Sequence, residues 1–163
     1  MDREEALAIS FANLKGPRDK ELIRAAMALD YLKALPEFGS NAAVGRAVGV
    51  SGEIVREFLS LLQLPREVQN LLERRRLSLE QGRRLWQLRR VRPDAVVDAA
   101  RAMTELTALD SRHLVDYLCK HRDISVSEGV EKVLGSKTVV TREFHVVACL
   151  GEQDYRELKR LAS

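Results

Sequence analysis

The chain has 163 residues, of which 45% are hydrophobic, 31% are charged and 5% are aromatic, and its formal net charge is +3. This composition excludes a disordered chain, and the length fits one medium domain or two small ones. The sequence has no long apolar run, no signal-peptide pattern and only two cysteines, so we expect a cytoplasmic protein rather than a membrane-spanning or exported one.

The first half of the chain reads as helices separated by turn residues. Apolar residues at three- and four-residue steps alternate with Gly and Pro breaks. The predicted helices span residues 3–14, 18–35, 41–48 and 51–63. Ser40 and Asn41 are suitable N-caps for the third of these helices, and Ser51 is suitable for the fourth.

The second half continues with helices and then changes its period. Further helices are predicted over residues 66–75, 79–90 and 93–106, from Asp110-Ser111 onward, and from Ser125 or Ser127 to Gly135. Residues 137–150 are rich in β-branched and aromatic types and predict a strand, and residues 152–162 predict a final helix. We therefore predict a mostly α fold, with a multi-helix domain over residues 1–123 and a small strand-plus-helix segment over residues 124–163.

Residues 41–60 carry the pattern of a helix-turn-helix. Such a motif needs a small residue where its helices touch, a turn residue that tolerates positive φ, and apolar anchors at set offsets. Gly45 supplies the contact and Gly49 supplies the turn. The anchors are Val44, Val48, Val50, Val55 and Phe58. The pattern predicts a DNA-binding motif, and an αα-hairpin within a helical bundle is the alternative.

Positive charge is concentrated in one window. Between Arg74 and Arg92 there are eight arginines and one acid, Glu80, so the window carries +7 and the other 144 residues carry −4. The eight are Arg74, Arg75, Arg76, Arg83, Arg84, Arg89, Arg90 and Arg92. Because the arginine fork suits phosphate oxygens and few acids stand nearby in the sequence, we predict that some of these side chains contact nucleic-acid phosphates. The alternative is a solvated helix face paired with local acids.

Several sequence pieces around the motif match one family. They are Leu61-Leu62-Gln63-Leu64-Pro65, a helix with Val68, Leu71 and Leu72, the turn Leu77-Ser78, and Asn13-Leu14-Lys15 upstream. Taken together, these pieces resemble the central domain of the ParB/KorB family of chromosome and plasmid partition proteins. The resemblance covers about residues 5–90 and is strongest over residues 44–79.

The resemblance implies that a dimer binds a palindromic duplex-DNA site, with the second helix of the motif in the major groove. It places Ser51, Gly52, Glu53 and Arg56 nearest the bases, where the Arg56 fork suits guanine. Glu53 and Glu57 are acids on this same helix, so we expect much of the affinity to come from arginines on the neighbouring helices. The predicted phosphate contacts are Arg46, Arg74, Arg75, Arg76, Arg83 and Arg84.

The chemistry of enzymes and cofactors is not recognisable in the sequence. Family members usually carry an N-terminal nucleotide-binding domain, and this chain begins where that domain would end, so we carry over neither CTP binding nor clamp closure. We expect no cofactor, because Gly45 to Gly49 lacks the Lys-Ser/Thr of a phosphate loop. The His and Cys spacing argues against a metal site, and no catalytic triad is visible, so we expect no enzymatic activity.

Trp86, at a helical position beside Leu85, is predicted to be a core residue rather than one that stacks on a base.

These expectations favour a DNA-binding protein of plasmid or chromosome partition, or of related regulation, that associates with the nucleoid or a plasmid. A homodimer and a partition ATPase are the implied protein partners. The C-terminal strand would form a dimer interface by pairing with its symmetry mate, and pairing within the chain is the alternative. The alternative functions are a helical protein-interaction module without DNA contact and the DNA-binding fragment of a longer ParB-like nuclease.

Overall fold

The computed structural model of the chain describes residues 1–15 and 21–136. Within these residues the chain forms nine α-helices and no strand, which confirms the mostly α prediction. The helices are α1 (Arg3–Leu14), α2 (Leu22–Ala34), α3 (Asn41–Val48), α4 (Gly52–Leu61), α5 (Arg66–Glu73), α6 (Leu79–Val91), α7 (Val96–Met103), α8 (Ala108–Lys120) and α9 (Val126–Gly135). None of the described helices is long and apolar enough to cross a membrane. The predicted strand at 137–150 and helix at 152–162 lie outside the described residues.

Serine caps fix the starts of four helices. In each, the serine hydroxyl accepts a hydrogen bond from the amide three residues later, at 3.2–3.3 Å, which satisfies an otherwise unpaired donor. The caps are Ser40 for α3, Ser51 for α4, Ser78 for α6 and Ser125 for α9. The predicted start of each helix is therefore confirmed, and of the two serines considered for α9 it is Ser125 that forms the cap.

Several predicted helix boundaries were wrong. α2 begins at Leu22 rather than at residue 18, and α4 and α5 end at Leu61 and Glu73, two residues before their predicted ends. The helix expected to open at Asp110-Ser111 begins at Ala108, because the hydroxyl of Thr107 accepts the Asp110 amide at 3.2 Å and forms the cap. The helix expected over residues 93–106 begins with a 3₁₀ turn, Pro93–Ala95, and its α-helical part ends at Met103. Proline fixes φ and lacks an N–H, which suits a tight first turn before the regular helix.

Two central helices organise the core. α2 packs against α1, α3, α4 and α5, and its Leu29 and Leu32 are fully buried. α6 packs against α4, α5, α7 and α8, and its Leu85 and Leu88 are fully buried. Because α2 and α6 both contact α4, the second helix of the predicted motif is held from two sides.

The helical body continues beyond the predicted domain boundary at residue 123. α9 packs against α7 and α8, with Val133 buried and Gly129 lying against Leu114 and Leu118. Arg92, at the end of α6, donates to the carbonyl of Ile124 at 2.8 Å and so ties the loop before α9 to α6. The described residues thus share one hydrophobic core from α1 to α9.

Candidate nucleic-acid interface

α3 and α4 are joined by a tight left-handed turn at Gly49. Its φ is 74° and its ψ is 32°, a conformation that favours glycine because L side chains are crowded there. The Val50 amide donates to the Gly45 carbonyl at 2.9 Å and closes the turn. Gly49 therefore has the role predicted from the sequence.

The two helices of the motif touch at glycines. A Cβ on Gly45 would stand 2.7 Å from the Val50 carbonyl oxygen, and one on Gly52 would stand 3.0 Å from the Cα of Ala42. Gly45 is thus the small contact residue that the sequence predicted. Gly52 was predicted to face a base, but its backbone lies half-buried against the start of α3. The sequence reasoning missed this second contact because only one small residue is needed by the general pattern.

α4 separates an apolar face from a polar one. Val55, Phe58 and Leu61 are completely buried. Ser51, Glu53 and Arg56 are exposed, as a base-reading face requires. The guanidinium of Arg56 is paired with the carboxylate of Glu53 one turn earlier, and both side chains are more than 60% exposed. The outward face of α4 therefore presents one acceptor and one donor fork side by side.

A groove runs between α4 and α6, and its charges are balanced. Arg83 donates to the carboxylate of Glu57 at 2.8 Å and pairs with Glu80 at 2.7 Å. The hydrogen bond to Glu57, followed by that to Glu80, raises the pKa of the Arg83 guanidinium above its ordinary value. Because both acids lie so close, Arg83 is paired within the protein, as the alternative of local ion pairs anticipated.

Trp86 lies in the same groove and is only partly buried. Its indole Nε1 donates to the side chain of Gln63 at 3.1 Å, and the Arg90 guanidinium lies 5.4 Å from the ring centre. The ring packs against the core on one side. The prediction of a core residue is therefore correct only in part, since the indole also lines the surface groove beside Arg56 and Arg83.

Other arginines of the basic window are also engaged within the protein. Arg76 pairs with Glu105 at 3.0 Å. Arg84, with 17% of its side chain exposed, pairs with Glu80 at 3.1 Å and with Asp116 at 3.7 Å. Arg76, Arg83 and Arg84, which were predicted to contact phosphates, are thus each paired with a carboxylate of the protein, and their contact with phosphate stays a prediction. The charge window concealed these ion pairs because most of the partners lie outside it in the sequence and are brought close only by the fold.

Five arginines of the basic window and the predicted set have no carboxylate partner among the described residues. Arg46 is exposed on α3, Arg74 and Arg75 are exposed at the end of α5, and Arg89 and Arg90 are exposed on α6. These arginines do not lie together beside the α4–α6 groove. Arg74, for example, lines a different groove, between α5 and α7. The predicted phosphate contacts are therefore distributed over several faces.

Lys15 is a residue that sequence reasoning did not single out as a DNA contact. It lies exposed at the end of α1, with its Nζ 4.9 Å from the Phe11 ring centre. Its Cε stands 3.1 Å from the point where a Cβ on Gly49 would be, so the side chain crosses the turn of the motif. The adjacent Asn13 is structural, because its side chain links the Ile9 carbonyl to the Glu21 amide, each at 2.9 Å.

Metal-binding geometry is not found in the part of the chain that the structure describes. No group of three or more His, Cys, Asp or Glu side chains is placed to hold a metal ion there. His145 and Cys149 lie outside the described residues.

Comparison with known proteins gives one match. The family model of the ParB HTH domain matches residues 18–115, more than half of the chain, and this range includes both helices of the motif and the arginine window. No curated protein and no solved structure matches the chain.

Proposed function

This chain belongs to the ParB helix-turn-helix domain family, and we propose that it binds duplex DNA with the exposed face of α4 in the major groove. The observation that carries the proposal is the arrangement of α4. Its apolar side is fully buried between α2 and α6, and its start is fixed by a glycine turn and a serine cap. The helix is therefore a rigid element whose polar side faces outward.

The polar side of α4 has the chemistry to read a base pair. Arg56 can donate two parallel hydrogen bonds to the O6 and N7 of guanine, and Glu53 can accept from the N4 amino group of cytosine. The two side chains already lie together. We propose that Arg56 is the principal base-reading residue and that Ser51, at the N-terminus of α4, holds a phosphate.

The wider role that we propose is partition of a plasmid or chromosome, or related regulation, without enzymatic activity. The support for this role is the family membership together with the resemblance of the flanking sequence to partition proteins. That resemblance also supports a homodimer on a palindromic site and a partition ATPase as protein partner. A dimer would place two copies of α4 in successive major grooves, and so the site would have two half-sites.

A protein-interaction module is the second candidate function, and the charge on the α4–α6 groove favours it. Glu53, Glu57 and Glu80 offset Arg56 and Arg83 there. A surface of alternating charge suits a charged protein partner, whereas a purely basic surface would suit only a polyanion. This candidate predicts that the groove binds protein and that DNA is not contacted.

The test is binding of the full chain to duplex DNA over a series of salt concentrations. We expect log Kd to change linearly with log salt, with a slope that corresponds to several released counterions. Single-stranded DNA of the same base composition is the control, and we expect it to give a shallower slope. The absence of duplex binding at about 50 mM salt would contradict the proposal and favour the protein-interaction module.

A further inference from the structure

The turn between α5 and α6 contains a backbone conformation that its residue does not favour. α5 ends in a Schellman arrangement, in which the Arg76 amide donates to the Leu71 carbonyl at 2.9 Å and the Arg75 amide donates to the Leu72 carbonyl at 3.1 Å. This arrangement requires one residue with positive φ, and that residue is Arg75, with φ of 57°. It is the only non-glycine residue with positive φ in the described part of the chain.

Glycine is the residue that this position ordinarily takes. An L side chain in the left-handed region brings its Cβ too close to the backbone carbonyl oxygen, whereas glycine has no Cβ and enters the region freely. Among the described residues, glycine occupies the other two positions with positive φ, Gly39 and Gly49. The arginine at the α5–α6 turn therefore makes the fold less stable than a glycine would.

The side chain of Arg75 makes no contact that would offset this backbone strain. It is exposed, and it makes no hydrogen bond, ion pair or ring contact with any described residue. Its neighbour Arg76 differs, because it is anchored on Glu105 at 3.0 Å. A strained residue that persists without a stabilising contact is typical of a functional position.

The charge of the turn suits a contact with the DNA backbone. Arg74 precedes Arg75, is exposed, and has no carboxylate within ion-pair distance among the described residues, so two adjacent guanidinium groups project from one turn. α6 begins directly after the turn and packs against α4. DNA-binding proteins fix the register of the reading helix by phosphate contacts from neighbouring elements.

We propose that Arg75, supported by Arg74, is a phosphate-contact residue for duplex DNA on the turn between α5 and α6. The strain at Arg75 is retained because glycine, the more stable choice, would remove the charge. This inference rests on the proposed DNA-binding function and assigns the phosphate contact to an unpaired arginine outside the motif. It assigns that contact to Arg75 before Arg76, Arg83 and Arg84, each of which is paired with a carboxylate.

The test is the variant Arg75→Gly in the full chain, with stability and DNA binding measured in parallel. The variant is expected to melt about 2–4 °C higher than the wild type, because the left-handed turn is no longer strained. It is also expected to bind duplex DNA more weakly, with the magnitude of the salt slope reduced by about 1. Stability and affinity thus change in opposite directions, which a residue with a purely structural role would not produce.

Two further variants serve as controls. Arg75→Lys keeps both the strain and the charge, and it should retain the wild-type melting temperature and salt slope. Arg112→Ala removes one positive charge from α8, which lies outside the α5–α6 turn, and it should leave the slope unchanged. An equal fall in slope for Arg112→Ala would attribute the effect to net charge and overturn the proposal.

The outcomes separate this inference from the function on which it rests. If Arg75→Gly binds duplex DNA with the affinity and the salt slope of the wild type, the role of Arg75 is overturned and the proposed function is not affected. A lower melting temperature in Arg75→Gly would show that the side chain stabilises the turn, which also overturns it. Failure of the wild type itself to bind duplex DNA would contradict the proposed function, and the role of Arg75 with it.

Discussion

Gly45 lies where α3 and α4 approach most closely. A side chain there would begin with a Cβ at 2.7 Å from the Val50 carbonyl oxygen and at 3.0 Å from the Gly52 amide nitrogen. All of the neighbouring atoms named here belong to the backbone of the turn, so they cannot move aside as a flexible side-chain end can. The close approach of the two helices of the motif therefore depends on the absence of a side chain at Gly45.

The first prediction concerns this contact. We expect Gly45→Ala to destabilise the protein by about 1–3 kcal/mol, because an extra carbon in a packed contact forces the backbone to shift. Chemical denaturation measures the free energy of unfolding. Gly135→Ala is the matched control, since a Cβ there would meet nothing within 4 Å, and it should be neutral or slightly stabilising. Equal effects of the two substitutions would contradict the proposed helix contact.

The arginines show at the residue scale what the sequence can and cannot predict. Residue type and exposure are predictable, and Arg46, Arg74 and Arg75 are exposed as expected. The partner of a charge is not predictable when it lies far away in the chain. Arg83 meets Glu57 and Arg76 meets Glu105 only because α4, α6 and the end of α7 converge. A count along the sequence therefore overstated the charge available to a ligand.

At the scale of elements, local signals located most helices. Serine caps and the glycine turn lie within a few residues of the helix that they define, so the sequence alone predicted α3, α4 and α6 closely. The start of α8 was missed because Thr107 and Asp110 are both suitable caps, three residues apart. Burial decides between them: Asp110 and Ser111 are buried in the first turn, a fact that depends on packing against α6 rather than on local sequence.

The start of α9 offers a test of the same local signals. Ser125 caps the helix and exchanges hydrogen bonds with Glu128, which lower the pKa of that carboxyl, whereas Ser127 is exposed within the helix. We expect Ser125→Ala to lower the free energy of unfolding by about 1 kcal/mol, the usual cost of a lost N-cap. Ser127→Ala should be neutral or slightly stabilising, because alanine has the higher helix propensity. Thermal unfolding of both variants measures the difference, and a larger loss for Ser127→Ala would place the cap there instead.

At the scale of the whole molecule, the helix-turn-helix is embedded in a larger helical body. α4 contacts both α2 and α6. α6 also packs against α8, and α8 packs against α9. The sequence predicted the class of this fold because helical periodicity is local. It did not predict that α9 shares the core of the preceding helices, since Val133 and Gly129 have no pattern that distinguishes an internal contact from a linker.

The charge of the molecule is likewise a property of the fold. The window from Arg74 to Arg92 carries +7 in the sequence, yet Arg76, Arg83, Arg84 and Arg92 are each paired with a carboxylate. What remains among the described residues is a small set of cations without a carboxylate partner, distributed over several faces, and the outward face of α4 is itself partly acidic. Such a surface favours recognition of specific bases over tight, indiscriminate binding of phosphate.

The central claim is that α4 reads duplex DNA, and selection from a random duplex library tests it most directly. The wild type should enrich one site, and Arg56→Ala should lose preference at one base pair of each half-site, at a cost of about 1–3 kcal/mol. Arg24→Ala is the matched control, because Arg24 is also exposed and paired with a glutamate three residues earlier, but on α2; it should select the wild-type site. Failure of the wild type to enrich any site, or an unchanged preference in Arg56→Ala, would contradict the claim.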